Sequence, residues 1–474
     1  MFKKTVDSWD LFDTLVGRFQ IAPESVFELM EAKSGMPGFK AARMRAQRDL
    51  DVIGKPYDLR EVYRQFCRTT GADVQSVAPA LFALEVETEI SQLIPVRAQL
   101  SRVARGDLIV SDMYLPEDII TDILQRVCGL RRNSFPPVVG NWGKHAGTVW
   151  PVILQHYLVR CHHGDNRVAD IAIPERFRIN TAHVTDTGVT PWEKSLLEAN
   201  LRDVALALRE VRLRCVDAGA GAFEHTVVGE FLTMLLLYVV FLRDHARHND
   251  IRHYLFAARE GIHLSAIFRA LAPGFDCETI DFNRRLLKSG HADAWFCSRI
   301  TPHSAVADLV SSGRSLGDFC ARTGVNVPLV ALFSAGHGEL TPEEMLARER
   351  FGFFALLEPE LYERFDAIEA LMDPGYPSVH DIAIDAGSRA VVRVLTPDDQ
   401  TARERECAGF VGEAVGELVE VIHRRGLRFD DIDPAQLKRF LRQSAHALRE
   451  LRHDVRSPSY RVKNSFPQQT YSGA

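Results

Sequence analysis

Residues 5–16 read T-V-D-S-W-D-L-F-D-T-L-V. An apolar strand gives out at Asp10, a second carboxylate follows at Asp13, and Thr14 and two apolar residues come next. Acids at the carboxyl end of a strand suit a doubly wound α/β sheet, because ligands of such sheets bind beyond the strand tips. Asp10 is therefore the candidate nucleophile. Taken alone, the segment also reads as a strand ending in a solvated D-x-x-D turn, so the rest of the chain has to decide.

The chain has 474 residues, 46% of them hydrophobic and 25% charged. That is enough for two or three domains with full-sized cores. A net charge of −6 supplies no field to recruit nucleic acid or an acidic membrane, and neither partner is expected. The eight cysteines form no C-x-x-C pair and read as small buried hydrophobes in a reducing compartment. Lys3 and Lys4 meet Asp7 and Asp10 before any apolar run develops, so no signal peptide is expected. The longest apolar run, Phe231 to Leu242, falls about a third short of a membrane span. The expected localisation is cytoplasmic.

Outward from Asp10, the stretch from Pro23 to about Ile94 carries apolar residues at three- and four-residue spacing, as in Val26, Phe27, Leu29 and Met30. This pattern predicts helices near 23–33, 38–50, 58–70 and 76–93. Its basic cluster, Arg43, Arg45 and Arg48, could meet an anionic substrate, or could be a solvated helix face. A helix is expected from Pro95 to about Arg105. D-L-I-V-S-D-M-Y-L-P at 107–116 then reads as a strand that ends on Ser111, with Pro116 opening a helix. Val138-Val139 is a short apolar pair, and G-N-W-G-K-H-A-G-T-V-W at 140–150 places Lys144 in the loop after it. Finally, L-V-R-C-H-H-G-D-N-R-V-A-D-I-A-I at 158–173 is a strand followed by Asp165, Asn166 and Asp170.

Together these segments resemble the motifs of the haloacid dehalogenase (HAD) superfamily. Asp10 and Thr14 match the first motif, Ser111 the second, Lys144 the third, and G-D-N-x-x-x-D the acidic fourth. The resemblance implies an α/β fold, with a Rossmann-like parallel sheet formed by 1–18 and 95–190 and an inserted helical cap at 19–94. It also implies Mg²⁺ as cofactor, held by Asp10, Asp165 and the backbone carbonyl of Phe12, with Asp170 and Asn166 behind them. The expected chemistry is covalent catalysis by a carboxylate, with Lys144 neutralising the group being transferred.

One position departs from the family. Most of its phosphatases carry an Asp two residues after the nucleophile, as general acid and base, and here that residue is Phe12. An aromatic residue there is the pattern of the 2-haloacid dehalogenases, whose halide leaves without a proton or a metal. The expected function is a Mg²⁺-dependent phosphatase or phosphoryl transferase acting on a small phosphorylated metabolite or sugar phosphate. The alternatives are a non-catalytic phosphate-binding or regulatory protein of a biosynthetic pathway, and a metal-independent dehalogenase-like hydrolase. Asp13 occupies a Gly position of the motif and is not a replacement for the missing acid.

Residues 185–200 read as a linker and helices are expected at about 200–216 and 223–247, so 191–250 is expected to be linker and helices. A second α/β domain is expected at 251–456, with a helical C-terminus at 402–425 and 434–453. A polar tail at 457–474 is expected to be disordered. Strand-like pieces opening 251–264, at 295–297 and within 380–389 would put Arg259, Arg299, Asp385, Gly387, Ser388 and Arg389 at strand ends, where Arg259 and Arg299 could bind an anion. R-E-G, S-R and D-A-G-S-R resemble signatures of large bacterial two-part predicted HAD hydrolases associated with polysaccharide glycosyltransferases, which implies a biosynthetic-pathway protein partner.

Overall fold

The computed structural model describes residues 3–131, 135–140, 143–334, 342–357, 365–375, 377, 379–384, 391–395, 400–448 and 451. They form an α/β structure divided into two compact units, one of residues 1–190 with 212–220, the other of 191–211 with 221–474.

The first unit is built on β1 (Lys4–Trp9), β4 (Leu108–Ser111), β5 (Pro137–Val139), β6 (Tyr157–Gly164) and β7 (Asn180–His183), all parallel, in the order β5-β4-β1-β6-β7. The chain lays β4 and β5 on one side of β1 and then returns to lay β6 and β7 on the other. The direction of winding reverses at β1, so the crevice beyond its carboxyl end is where such a sheet holds a ligand. Helices α5 (Arg97–Leu100), α6 (Glu117–Arg126), α7 (Val149–His156) and α8 (Ile173–Arg176) connect the strands. Val6, Leu108, Val110, Trp150, Ile153, Val159, Ile173 and Ile179 close one core, each large apolar side chain contributing about 1.5–3 kcal/mol.

Between β1 and β4 the chain leaves the sheet through a two-stranded antiparallel ribbon, β2 (Val16–Arg18) against β3 (Leu93–Pro95). Four helices fill the excursion: α1 (Ser25–Ser34), α2 (Phe39–Ile53), α3 (Leu59–Thr70) and α4 (Val77–Gln92). Helix α3 starts on a capping box in which Asp58 and Glu61 each accept the other's backbone N–H at 3.1 Å, satisfying donors that a helix start leaves open. It buries Leu59, Val62, Tyr63, Phe66 and Cys67. These pack with Met30, Phe39 and Leu81 of the neighbouring helices and with Trp9, Leu11 and Leu15 beside Asp10. The stretch expected as a helix from Pro95 to Arg105 is helical only over Arg97–Leu100, since Pro95 is taken by the ribbon and Gly106 turns with φ +95°.

The second unit holds another five-stranded parallel sheet: β8 (His253–Ala257), β9 (Asp276–Ile280), β10 (Ser304–Ser311), β11 (Leu329–Ser334) and β12 (Phe353–Leu357), ordered β12-β11-β10-β8-β9. A separate antiparallel pair, β13 (Val379–Ile384) with β14 (Val391–Leu395), follows, and then helices Ala402–Arg425 and Pro434–Ala447. The apolar run at 231–242 belongs to a 27-residue helix, Ala222–His248, long and apolar enough to cross a bilayer; 72% of its most apolar window is buried inside the fold, so it serves as a core helix.

Two further expected elements differ. Half of the linker at 185–200 is the helix Pro191–Glu198. The piece Trp295–Cys297 is not a strand but part of the helix Asp293–Arg299, with Phe296 buried, because a three-residue apolar run is too short to show its period. Asp385, Gly387, Ser388, Arg389 and the tail 457–474 lie outside the described residues.

Candidate active site

Strand β1 stops at Trp9, and the Asp10 N–H is still held by the carbonyl of His163 on β6 at 2.8 Å. The chain then curls tightly. Leu15 N and Val16 N both donate to the Leu11 carbonyl, at 2.9 and 3.0 Å, and Asp13 turns through φ +58°. The curl brings Thr14 Oγ1 to 3.4 Å from Asp10 Oδ2. Lys144, from the loop before α7, extends its Nζ to Asp10 Oδ1, to the Val110 carbonyl at 3.2 Å, and to Asp170 Oδ1 at 2.7 Å. Ser111 is the last residue of β4.

Beyond β6 the loop supplies Asp165 and then a π-helical turn, Arg167–Ala172, that carries Asp170. Asn166 caps this turn, its Oδ1 accepting Val168 N and Ala169 N at 3.0 Å, while its own N–H donates to Asp170 Oδ2 at 2.9 Å. Two residues stand behind Asp170: His162, which opens the H-x-G-D-N-x-x-x-D pattern, and Ser8, which the sequence did not single out. His162 Nε2 lies 3.2 Å from Asp170 Oδ1, and its Nδ1 lies 2.9 Å from Ser8 Oγ. The carboxylate can only accept, so Nε2 carries the hydrogen and the Ser8 hydroxyl donates to Nδ1. Burial lowers the His162 pKa, against the pull of the Asp170 hydrogen bond, which keeps the ring neutral. Gly164 completes the cradle: a Cβ there would lie 2.3 Å from Asp170 Cγ.

The three carboxylates of this site are unalike. Burial pushes Asp10 well above the usual carboxylate range, with Lys144 pulling the other way and Asp170 and Asp165 adding repulsion. Burial, with the charges of Asp13 and Asp170, raises Asp165 to about 6. Asp170 is held low: burial opposes its charge, but the His162 hydrogen bond and Lys144 outweigh it. Lys144 stays charged because Asp10 and Asp170 together overcome its desolvation. Asp170 is thus the standing counter-ion of Lys144, and Asp10 and Asp165 are the carboxylates whose charge needs a further cation. Oxygens of Asp10, Asp165 and Asp170 lie within 4.8 Å of one another, a hard donor set that fits Mg²⁺.

These residues open on a pocket of about 410 Å³ lined by Asp10, Phe12, Ser111, Lys144, Asp165, Asn166 and Asp170 together with Asp112, Met113, Tyr114 and His145. The helical insert adds Gln47 and Asp51 from α2 and Tyr57 just after it. Asp13 is absent from the lining and pairs with Arg18 at 3.3 Å.

The arginines expected to meet an anion do not converge here. Arg43 is fully buried, forked onto Glu85 by two 2.8 Å bonds and bonded to Gln47 at 2.9 Å. Arg45 and Arg48 are exposed and outside the pocket lining. In the second unit Arg259 follows the carboxyl end of β8 and pairs with Asp373. Arg299 pairs with Glu278, which lies 3.7 Å from His253 at the start of β8. The two arginines thus attend opposite ends of that strand, and they do not share an anion site.

No protein-family model matches the chain, and no curated protein matches it significantly.

Proposed function

We propose that the chain is a Mg²⁺-dependent phosphohydrolase of the HAD superfamily, acting on a small phosphate monoester through an aspartyl-phosphate on Asp10. The observation that carries this reading is the meeting of Asp10, Ser111, Lys144, Asp165 and Asp170 on one pocket, at the ends of adjacent parallel strands and in the order of the superfamily's motifs. On this reading α1–α4 are the cap, and Gln47, Asp51 and Tyr57 are its contribution to the substrate site. The second α/β unit would serve a separate role, which the resemblance to polysaccharide-linked hydrolases makes contact with a biosynthetic partner.

In the first half-reaction an Asp10 carboxylate oxygen attacks phosphorus in line with the ester oxygen, whose bond to phosphorus breaks. Thr14 fixes the carboxylate's orientation. Lys144, its charge secured by Asp170, faces the non-bridging oxygens, to which Ser111 Oγ donates. In the second half-reaction water attacks phosphorus and releases Asp10 and inorganic phosphate. Mg²⁺, held by Asp10, Asp165 and the Phe12 carbonyl, would supply the charge that neutralises the transferring phosphoryl group. Phe12 cannot protonate the departing oxygen, so an alkyl leaving group takes its proton from water, and esters of more acidic alcohols turn over faster.

Release of phosphate from p-nitrophenyl phosphate, with and without Mg²⁺, tests this. Turnover is expected with Mg²⁺ and its loss on adding a chelator. A second reading, phosphate binding without hydrolysis, draws on Phe12, and predicts that phosphate binds while no ester turns over. The dehalogenase reading needs a free cation for the substrate carboxylate, and Arg43 is committed to Glu85.

Gly164→Ala gives a second check. The new Cβ cannot coexist with Asp170 where it stands, so Asp170 and with it Lys144 must shift. A displacement of about 1 Å is expected to lower kcat about 100-fold, measured alongside the thermal unfolding midpoint to separate misplacement from loss of fold.

A further inference from the structure

We infer that the pocket selects a phosphate monoester whose leaving group carries an ammonium group. This rests on the phosphohydrolase reading of the same pocket and adds the chemistry of the part of the substrate that does not react.

The charges lining the pocket do not balance. Among the described lining residues are five carboxylates, Asp10, Asp51, Asp112, Asp165 and Asp170, one lysine, and no arginine. Lys144 is committed to Asp10 and Asp170, and Asp10 and Asp165 belong with a metal. Asp51 and Asp112 remain, supplied by different elements. Asp51 accepts from the Tyr57 hydroxyl at 2.5 Å. Asp112 Oδ2 accepts from His145 N at 2.9 Å, and Asp112 Oδ1 is enclosed without a donor from any described residue. Neither carboxylate has a described lysine or arginine partner.

Two arginines that lie against rings of the pocket wall do not change this balance. Arg18 lies over the Phe12 ring, 4.8 Å from its centre, and Arg43 over the Tyr114 ring at 5.1 Å. Arg18 is held by Glu89 at 2.8 Å and by Asp13, and Arg43 is forked onto Glu85, so each carries its own counter-charge. What faces the substrate is acidic and aromatic, with Phe12, Tyr57 and Tyr114 on the walls. Carboxylates and ring faces both attract a cation. Beyond Lys144, a second anionic group on the substrate would meet two carboxylates and, among the described lining residues, no further lysine or arginine, which disfavours diphosphates and phospho-carboxylates. A hydroxyl brings one donor and no charge, whereas an ammonium brings three donors and the charge the pocket lacks.

The test is a matched set of esters: 2-aminoethyl phosphate, 2-hydroxyethyl phosphate and phosphoglycolate, compared by kcat/KM with Mg²⁺. The amine is expected to be preferred over the hydroxyl by about 10- to 100-fold, with the carboxylate poorest. Asp51→Asn and Asp112→Asn should each bring the amine-to-hydroxyl ratio toward one. Because the ratio is taken within one preparation, partial loss of folded protein does not move it. The same three compounds are titrated calorimetrically against Asp10→Asn with Mg²⁺, so that selectivity is read even where nothing turns over.

A hydroxyl ester equal to or better than the amine overturns the inference, as does an amine preference that survives both substitutions. Turnover of p-nitrophenyl phosphate without amine preference leaves the phosphohydrolase reading standing and removes this one. Absence of all turnover with tighter binding of the amine removes hydrolysis and keeps the selectivity.

Discussion

Asp10→Asn is expected to lower phosphate release by about 10⁶-fold, the scale seen when a covalent nucleophile is removed, while the protein stays folded. The stability change should run opposite to the activity change. Burial raises the Asp10 pKa in the folded protein above its value in the unfolded chain, so the folded state binds this proton more tightly. The stability this lends is fully present below the unfolded pKa, near 4, and is lost as pH rises through the folded value, about 7. At pH 8 without metal, wild type carries a penalty that the neutral amide lacks. The variant should therefore unfold at the higher temperature, with Lys144 still paired to Asp170. The gap should widen from pH 4 to pH 7 and level off above. Mg²⁺ should narrow it by stabilising wild type more than the variant. Unfolding midpoints of both proteins across that pH range, with and without Mg²⁺, decide the matter, and a variant less stable than wild type at pH 8 would falsify the account of Asp10 as a buried charge awaiting a cation.

Arg43→Ala is expected to be the most damaging single change in the helical insert. Its guanidinium joins α2 to α4 through two bonds to Glu85, and Glu85 also accepts the Tyr63 hydroxyl of α3. The rings of Phe27, Tyr63 and Tyr114 surround it within 5.5 Å. Removing the arginine leaves Glu85 charged, 2% exposed and without its counter-ion, a loss of about 3–5 kcal/mol, or on the order of 10 °C in the unfolding midpoint. Adding Glu85→Gln should restore part of that loss, because the stranded charge is then gone. An Arg43→Ala protein with an unchanged midpoint would mean that Arg43 does not hold the insert together.

That same residue shows where the sequence stops being legible. Arg43, Arg45 and Arg48 look alike as letters, yet their places on one helix turn commit Arg43 to a buried carboxylate and leave the other two in solvent. The partner, Glu85, lies 42 residues away, and no local pattern announces it. Asp10, Lys144, Asp165 and Asp170 were readable because each follows or precedes a short apolar strand, and strand ends of a parallel sheet gather in one crevice. Asp51 and Tyr57 carried no such mark, whereas Asp112 stood just past the end of β4. Asp51 and Tyr57 reach the pocket only through the way α2 and α3 fold back, and Asp112 was overshadowed by Ser111 beside it. His162 and Ser8 sat in plain view on β6 and β1, but the hydrogen bond between them depends on strand register. The helices at 25–34, 39–53, 59–70 and 77–92 were legible from spacing alone, whereas Trp295–Cys297 offered too few residues to reveal a period.

The ribbon of β2 and β3 carries a consequence of its own. All four helices of the insert leave and rejoin the sheet through a doorway three residues wide, with Val16 facing Pro95 and Arg18 facing Leu93. Arg18, pinned to Glu89 and Asp13, latches the far side of that doorway. A module attached so narrowly can be rewritten without disturbing the strand order beneath it, provided the ribbon and its latch are kept. On the proposed reading, the insert's share of recognition, Gln47, Asp51 and Tyr57, is thus written on a length of chain that can be edited apart from Asp10, Asp112 and Lys144, and a graft within residues 19–92 that keeps Glu89 is the natural unit in which this protein could be given a new substrate.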